Sequence, residues 1–209
     1  MSAGYPPEPW DLTGRGWITA WRVRRGALPP LPAGVRAVGG VAVTMFVDYR
    51  PPGQMTYGEL LAGVVVRSGA RVGLAITDIW VDSPASRDGG RELWGVPKDL
   101  ASFPALGDGA LEARQDGTPL ARATFRPGRL PGVPLPLATT AHIAQTLPVG
   151  PPDAPGASTV WTPVRASARS VRLTRARWES PPDGPLAWLT GARPIASVRV
   201  DGFAMRFGS

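Results

Sequence analysis

The chain reads as a β-rich α+β protein. Its antiparallel sheets are expected to curl into a barrel or cone that encloses a pocket, with few short helices. Three observations carry this expectation: many short β-branched and aromatic runs, tight turn signals between them, and few segments that read as helix. Small closed sheets of this kind often hold a ligand cavity. The length, 209 residues, suits a single domain over 1–209 with a real core.

The elements follow in order. Residues 1–11 are Pro-rich and aromatic and read as an ordered arm lying on the domain. Residues 15–24 carry Trp17, Ile18, Trp21 and Val23, a strand signature, and Pro29, Pro30 and Pro32 mark a loop. Residues 41–49 are β-branched and aromatic, a second strand, broken by Pro51, Pro52 and Gly53. Residues 59–67 and 71–81 flank Ser68, Gly69 and Ala70, a short hairpin connection. Residues 111–114 and 120–125 flank Asp116 and Gly117, a second hairpin signal. Segment 138–147 is expected as a short helix with Thr140 as N-cap. A Pro-rich loop at 148–156 leads to strands at 159–165 and 168–178. Residues 185–190 suggest a helical turn or two, and 195–207 reads as a closing strand.

The composition excludes several chemistries. Cysteine is absent, which removes disulfides, thiolate nucleophiles and cysteine metal sites. The single histidine, His142, argues against a His-based zinc site, and no serine lies in a nucleophile-elbow motif. No apolar stretch approaches a bilayer span, and the N-terminus lacks a charged region followed by an apolar one, so the expected compartment is the cytoplasm. The net charge is +7, with 22 arginines and one lysine, Lys98. Abundant Arg, Gly, Pro and Ala is what GC-rich coding produces, so the charge alone is weak evidence for nucleic acid. The exception matters more. Arginine stays protonated in ordinary sites, whereas a lysine amine can lose its proton and act as a nucleophile.

Lys98 lies in Gly90-Arg91-Glu92-Leu93-Trp94-Gly95-Val96-Pro97-Lys98-Asp99-Leu100. This run resembles the GRE…PKK signature of the acetoacetate decarboxylase family, whose first lysine after the proline forms a Schiff base with a β-keto acid. Upstream, Met55-Thr56-Tyr57-Gly58-Glu59 resembles the family's Tyr-x-Glu, whose glutamate lies in the active site. Arg15 resembles an arginine near the family's N-terminus that faces the same pocket. The Glu59-to-Lys98 spacing matches without a gap, and the C-terminal half resembles the family's closing segment more loosely.

The resemblance implies an imine at Lys98, proton handling by Glu59, a substrate carboxylate held by Arg15, no cofactor, and a homo-oligomer. The expected partner is a small keto acid, with neither nucleic acid nor membrane. The residue types suit that chemistry. Decarboxylation leaves a carbanion, and an iminium is an electron sink for it. The amine must be neutral to attack, and burial in an apolar pocket or a nearby cation lowers its pKa. Leu93, Trp94, Val96, Ile79 and Trp80 are candidate apolar walls.

Two positions depart from the family pattern. Asp99 replaces the second lysine. One charge at roughly 7 Å and an effective dielectric of about 20 is worth about 2 kcal/mol. Successive side chains on an extended segment point to opposite faces, however, which would turn Asp99 away from Lys98. Thr44 stands where decarboxylases of the family tend to carry another glutamate, which implies a pocket with fewer acids. Decarboxylation and aldol or dehydration chemistry through the same imine both stay open. So do two other classes: a non-catalytic barrel that binds a small acid, and a basic nucleic-acid-binding barrel in which Arg22, Arg24, Arg25 and the arginines of 169–177 act with Trp21 and Trp178.

Overall fold

The structure, a computed structural model, describes residues 4–107, 109–148 and 157–209. Four strands come first: β1 (Trp10–Arg22), β2 (Arg36–Tyr49), β3 (Tyr57–Ser68) and β4 (Arg71–Val81). They are followed by helix α1 (Pro84–Trp94) and the short strands β5 (Lys98–Leu100), β6 (Ser102–Leu106) and β7 (Leu111–Gln115). The chain continues through β8 (Thr118–Pro127), β9 (Val133–Pro148), β10 (Ala157–Glu179) and β11 (Arg193–Phe207). The hairpins expected at 59–81 and 111–125 both form. In the second, Gln115 faces Thr118, and Asp116 and Gly117 both have positive φ, the turn geometry that matches strand twist. The turn expected within 185–190 is a 3₁₀ turn at Ala187–Leu189.

Three expectations need correction. Segment 138–147 is strand, not helix. It lies within β9, where Thr140, His142 and Ile143 pair with Arg165, Pro163 and Thr162 of β10. A partner strand along its length and its β-branched Thr139, Thr140, Ile143 and Thr146 outweigh the local capping signal. The two strands expected at 159–165 and 168–178 are one, β10, bent by register shifts at Ala166/Ala168 and Ala168/Val171. Helix α1 falls where no element was expected. The Pro-rich loop expected at 148–156 lies outside the described residues beyond Pro148.

Sheet topology explains how a pocket is enclosed. Pairing runs β11-β1-β2-β3-β4-β9-β10, and β10 pairs again with β11. Seven strands therefore return to their start. Strands β8, β7 and β6 continue from the far end of β10. Most pairs are antiparallel, but β4 pairs with β5 and β9 in parallel. The β4-α1-β5 unit is thus a parallel crossover, and a helix is the usual means of making one.

Alternation along the strands divides the apolar residues into two main clusters. One draws on all seven ring strands and includes Trp10, Val47, Tyr49, Tyr57, Ile79, Ile143, Val164 and Phe203, which places it inside the ring. The other is formed by Trp17, Phe46, Leu60, Ala62 and Trp80 on the reverse face, packed under β7 and β8 through Leu111, Ala113, Leu120 and Ala123. Strand β3 is buried on both faces, which is why its sequence is nearly continuously apolar.

Candidate active site

Lys98 opens β5 beside Ile79 of β4, and Glu59 lies one strand further along on β3. Both point into the ring. Lys98 is 6% exposed and Glu59 3%. The Lys98 Nζ donates to Glu59 Oε2 at 3.0 Å and to Ser86 Oγ at 2.8 Å. Tyr49 OH donates to the other oxygen, Glu59 Oε1, at 3.1 Å. The ring of Tyr57 lies 5.2 Å from Nζ. The indole of Trp10 lies 5.9 Å from Nζ. The amine is therefore packed among aromatic faces that favour a cation.

The GRE run has a physical reading at each position. Gly90 leaves room for the lysine stem: a Cβ there would lie 2.8 Å from Lys98 Cδ and 3.0 Å from Cε. Arg91 Nε donates to the Lys98 carbonyl at 2.5 Å, fixing the backbone from which the side chain departs. Glu92 accepts from Tyr5 OH, which ties the N-terminal arm over the helix. Ser83 caps α1 by accepting from Ser86 N at 3.2 Å, and Gly95 ends it at φ 65°. Pro97 then prevents the helix from continuing, so Lys98 enters β5.

Two opposing effects act on Lys98. Burial pushes its pKa down, but the Glu59 carboxylate and Tyr57 push it up, and the net direction is upward. The expectation of a lowered lysine pKa is corrected accordingly. The contact with Glu59 outweighs desolvation, so the resting amine is held as an ammonium. Burial first, and then Glu59, push the Tyr49 phenol well above its ordinary value. Burial likewise raises Tyr57 despite the nearby Lys98 cation.

Arg15 is not beside this pair. On β1 it pairs with Asp48 of β2, on the face opposite Tyr49 and Val47. Its Nε meets Asp48 Oδ2 at 3.0 Å and its Nη2 donates to the Leu106 carbonyl at 3.2 Å. Its guanidinium lies 5.0 Å from the ring of Trp17, which belongs to the outer cluster. The expectation that Arg15 holds a carboxylate in the Lys98 pocket is therefore corrected by strand alternation. Thr44 lies on that same outer face and accepts from Trp21 Nε1 at 2.9 Å, so it does not describe the inner pocket. Of the expected apolar walls, Ile79, Trp94, Val96 and Leu93 belong to the inner cluster, and Trp80 to the outer.

Asp99 faces away from Lys98, as alternation requires. Its side chain is 53% exposed, accepts from Gln115 Nε2 at 3.1 Å, and lies 3.9 Å from Arg91 Nη2. The aromatics invoked for nucleic-acid stacking are occupied: Trp178 stacks on Phe46 at 5.3 Å and donates to Thr19 Oγ1 at 2.9 Å. His142 packs edge-on to Trp161. Among the described residues there is no cluster of three or more His, Cys, Asp or Glu suited to a metal, and no helix long and apolar enough to cross a membrane.

Sequence reasoning missed Ser86 and gave Tyr49 no role. Tyr57 stood in the quoted motif, and its spacing of two from Glu59 places both on one strand face. Ser86 carried a weaker signal, the Ser-Pro-x-Ser run that caps a helix.

Comparison with known proteins supports the same fold. The acetoacetate decarboxylase of Legionella pneumophila superposes with a TM-score of 0.76 at 18% identity, covering 100% of this chain and 88% of that one. The enduracididine biosynthesis enzyme MppR, in complex with pyruvate, gives 0.73 at 17% identity, covering 100% and 91%. An acetoacetate decarboxylase-like enzyme from Sphingomonas wittichii gives 0.66 at 18% identity, covering 98% and 92%. No curated protein matches the chain. The family model described as acetoacetate decarboxylase matches residues 1–182, most of the chain. With that match over most of its length, the chain belongs to the acetoacetate decarboxylase family.

Proposed function

We propose that the protein is a cofactor-independent lyase that forms a Schiff base between Lys98 and a small keto acid. The observation that carries this reading is the sole lysine of the chain, buried in an aromatic ring interior and hydrogen-bonded to a buried carboxylate. A buried ion pair is rarely retained for stability, since an apolar pair of similar volume does as well. The MppR structure with bound pyruvate supports a keto acid as the substrate class.

The resting ammonium must lose a proton before it attacks. Glu59, at 3.0 Å, is the acceptor. Transfer within the pair neutralises both groups, which a dry interior favours once substrate has expelled water. The neutral amine adds to the keto carbon, the carbinolamine loses its hydroxyl as water, and the iminium forms. With a β-keto acid, the electron pair of the C–C bond to the carboxylate then flows into the iminium, releasing carbon dioxide and leaving an enamine; with an α-keto acid such as pyruvate, loss of a proton from the neighbouring carbon gives the enamine instead. Protonation at carbon and hydrolysis return the ketone and Lys98. An aldehyde meeting the enamine gives the aldol and dehydration branch of the same chemistry.

The test is reductive trapping. Incubation with acetoacetate or pyruvate and borohydride should add the mass of one reduced adduct at Lys98, and Lys98→Met should abolish it. Absence of any Lys98 adduct with a panel of keto acids would sink this reading and leave a barrel that binds small acids without chemistry. Headspace carbon dioxide separates decarboxylation from condensation.

A further inference from the structure

Strands β7 and β8 pack over the outer face of the ring, and this second layer is open at one corner. β7 covers β8 only as far as Ala123, which faces Leu111. From Thr124 to Pro127, β8 has β10 on one side, where Arg126 faces Arg175 and Pro127 faces Thr174. These four residues also line a cavity of about 710 Å³, a volume ordinary for a small-molecule site. Strand register explains the part of the lining that the ring supplies. Trp17 of β1, Arg199 of β11 and Arg172 of β10 stand side by side on three adjacent strands, with Ser197 and Thr174 in the next row on that face. Trp17 belongs to the outer cluster, so the cavity lies on the far side of the sheet from Lys98.

Three features of the lining point to one kind of occupant. The first is charge. Asp201 is the one carboxylate among the described lining residues, and it accepts from Arg199 at 2.9 Å. Arg172 and Arg126 also line the cavity, and among the described residues neither is in a salt bridge. Arg172 instead stands directly opposite Arg199, and Arg126 directly opposite Arg175. Like charges set opposite one another on neighbouring strands repel, and an anion between them relieves that repulsion. The second feature is a hydroxyl. Thr174 Oγ1 is buried and has no hydrogen-bond partner among the described residues, which is costly unless a ligand supplies one. The third is the apolar wall made by Leu111, Phe125 and Pro127.

We propose that this cavity is a second binding site, for a small carboxylic acid with an apolar body. Its carboxylate takes the Arg172 guanidinium and the Thr174 hydroxyl, and its apolar part lies along Phe125. A planar guanidinium suits a carboxylate, and the threonine hydroxyl has a proton to donate to the same group. The proposal does not depend on the Schiff-base reading, because none of these residues is in the Lys98 chamber.

The experiment is calorimetric titration with benzoate at low salt, against benzamide and acetate. Benzoate should bind saturably in the millimolar range or tighter. Benzamide, of the same shape without the charge, should bind about 10-fold more weakly, and so should acetate, which has the charge without the apolar body. Arg172→Gln should weaken benzoate by about 10-fold or more, the worth of a charged hydrogen bond. Thr174→Val keeps the side chain's shape and should weaken benzoate several-fold. Its denaturant midpoint should be unchanged or higher, since the hydroxyl has no protein partner to lose, so the weaker binding is not a folding defect. Lys98→Met should leave benzoate affinity as it is. Absence of saturable benzoate binding would overturn the proposal. So would benzoate binding that neither Arg172→Gln nor Thr174→Val weakens, because the acid then sits elsewhere. Equal affinity for acetate and benzoate would overturn the apolar half of the assignment.

Discussion

The two faces of the sheet formed by β1, β2 and β3 carry similar residue types put to different uses. On the inner face, Glu59, Tyr49 and Tyr57 converge on one lysine and are sealed from water. On the outer face, Arg15 and Asp48 form an ion pair with partly exposed side chains, braced by a β6 carbonyl, and Thr44 accepts from an indole. The outer pair is a strut between layers, because each member has its partner and access to solvent. The inner pair is costly to bury and has its remaining bonds supplied by hydroxyl groups. One residue of offset along a strand decides which of the two a side chain joins.

The largest break in this contrast is Lys98→Met, which should remove trapping completely. Its stability cost should be about 3–5 kcal/mol, since the buried Glu59 loses its partner.

Glu59→Gln should slow imine formation by about two to four orders of magnitude, the span of a lost general base. It should also move the pH dependence. With the carboxylate gone, burial dominates and the Lys98 pKa falls, so the trapping rate should reach half its plateau at lower pH than in the wild type. The wild type has the opposite sign. Its Lys98 pKa is raised in the folded state, so the pair's contribution to stability is complete below the unfolded lysine value of about 10.4 and is lost as pH rises through the folded value. Denaturant midpoints measured across the alkaline range check this, and in Glu59→Gln that alkaline loss should disappear.

Gly90→Ala should cost about 1–3 kcal/mol, as overpacking does, and should slow trapping by displacing the lysine stem. Arg15→Met should leave the trapping rate unchanged and cost about 1 kcal/mol or less, the worth of a partly exposed pair. A loss of trapping in Arg15→Met would show that the outer face reaches the chemistry. The smallest effect is expected for Asp99→Lys, which restores the family's second lysine. The side chain points outward, so the pH profile of trapping should stay where it is.

Much of this was legible in the sequence, for reasons that differ by residue. The β-rich class followed from apolar runs and turn residues, and the two tight hairpins from Gly69 and from Asp116-Gly117. Lys98 and Glu59 were found through a family signature. What the signature did not supply was facing. Arg15, Thr44 and Trp80 were assigned to the pocket because they align with it or lie near it in sequence, yet β1, β2 and β4 turn them to the far side. Helix α1 was missed although Ser83, Pro84 and Gly95 mark its ends. Its interior is short of strong helix formers, with Gly89 and Gly90 reserved for close packing. Segment 138–147 was misread because a strand's partners lie far away in sequence, where local propensity cannot see them. The upward direction of the Lys98 pKa could not be read either, since it depends on a 3.0 Å contact across two strands.

The pairing of β11 with β1 and β10 has a consequence for when the chain becomes reactive. Trp10 faces Phe207 across that seam, and Trp94, the last residue of α1, packs on Phe207 at 4.4 Å. The wall of the lysine chamber thus joins residues near opposite ends of the sequence, a non-local arrangement that folds slowly. During synthesis, Lys98 and Glu59 emerge long before β11 does. Until that last strand pairs with β1 and β10, the wall around Lys98 is incomplete, and the buried Lys98–Glu59 pair lacks the enclosure that keeps it from water.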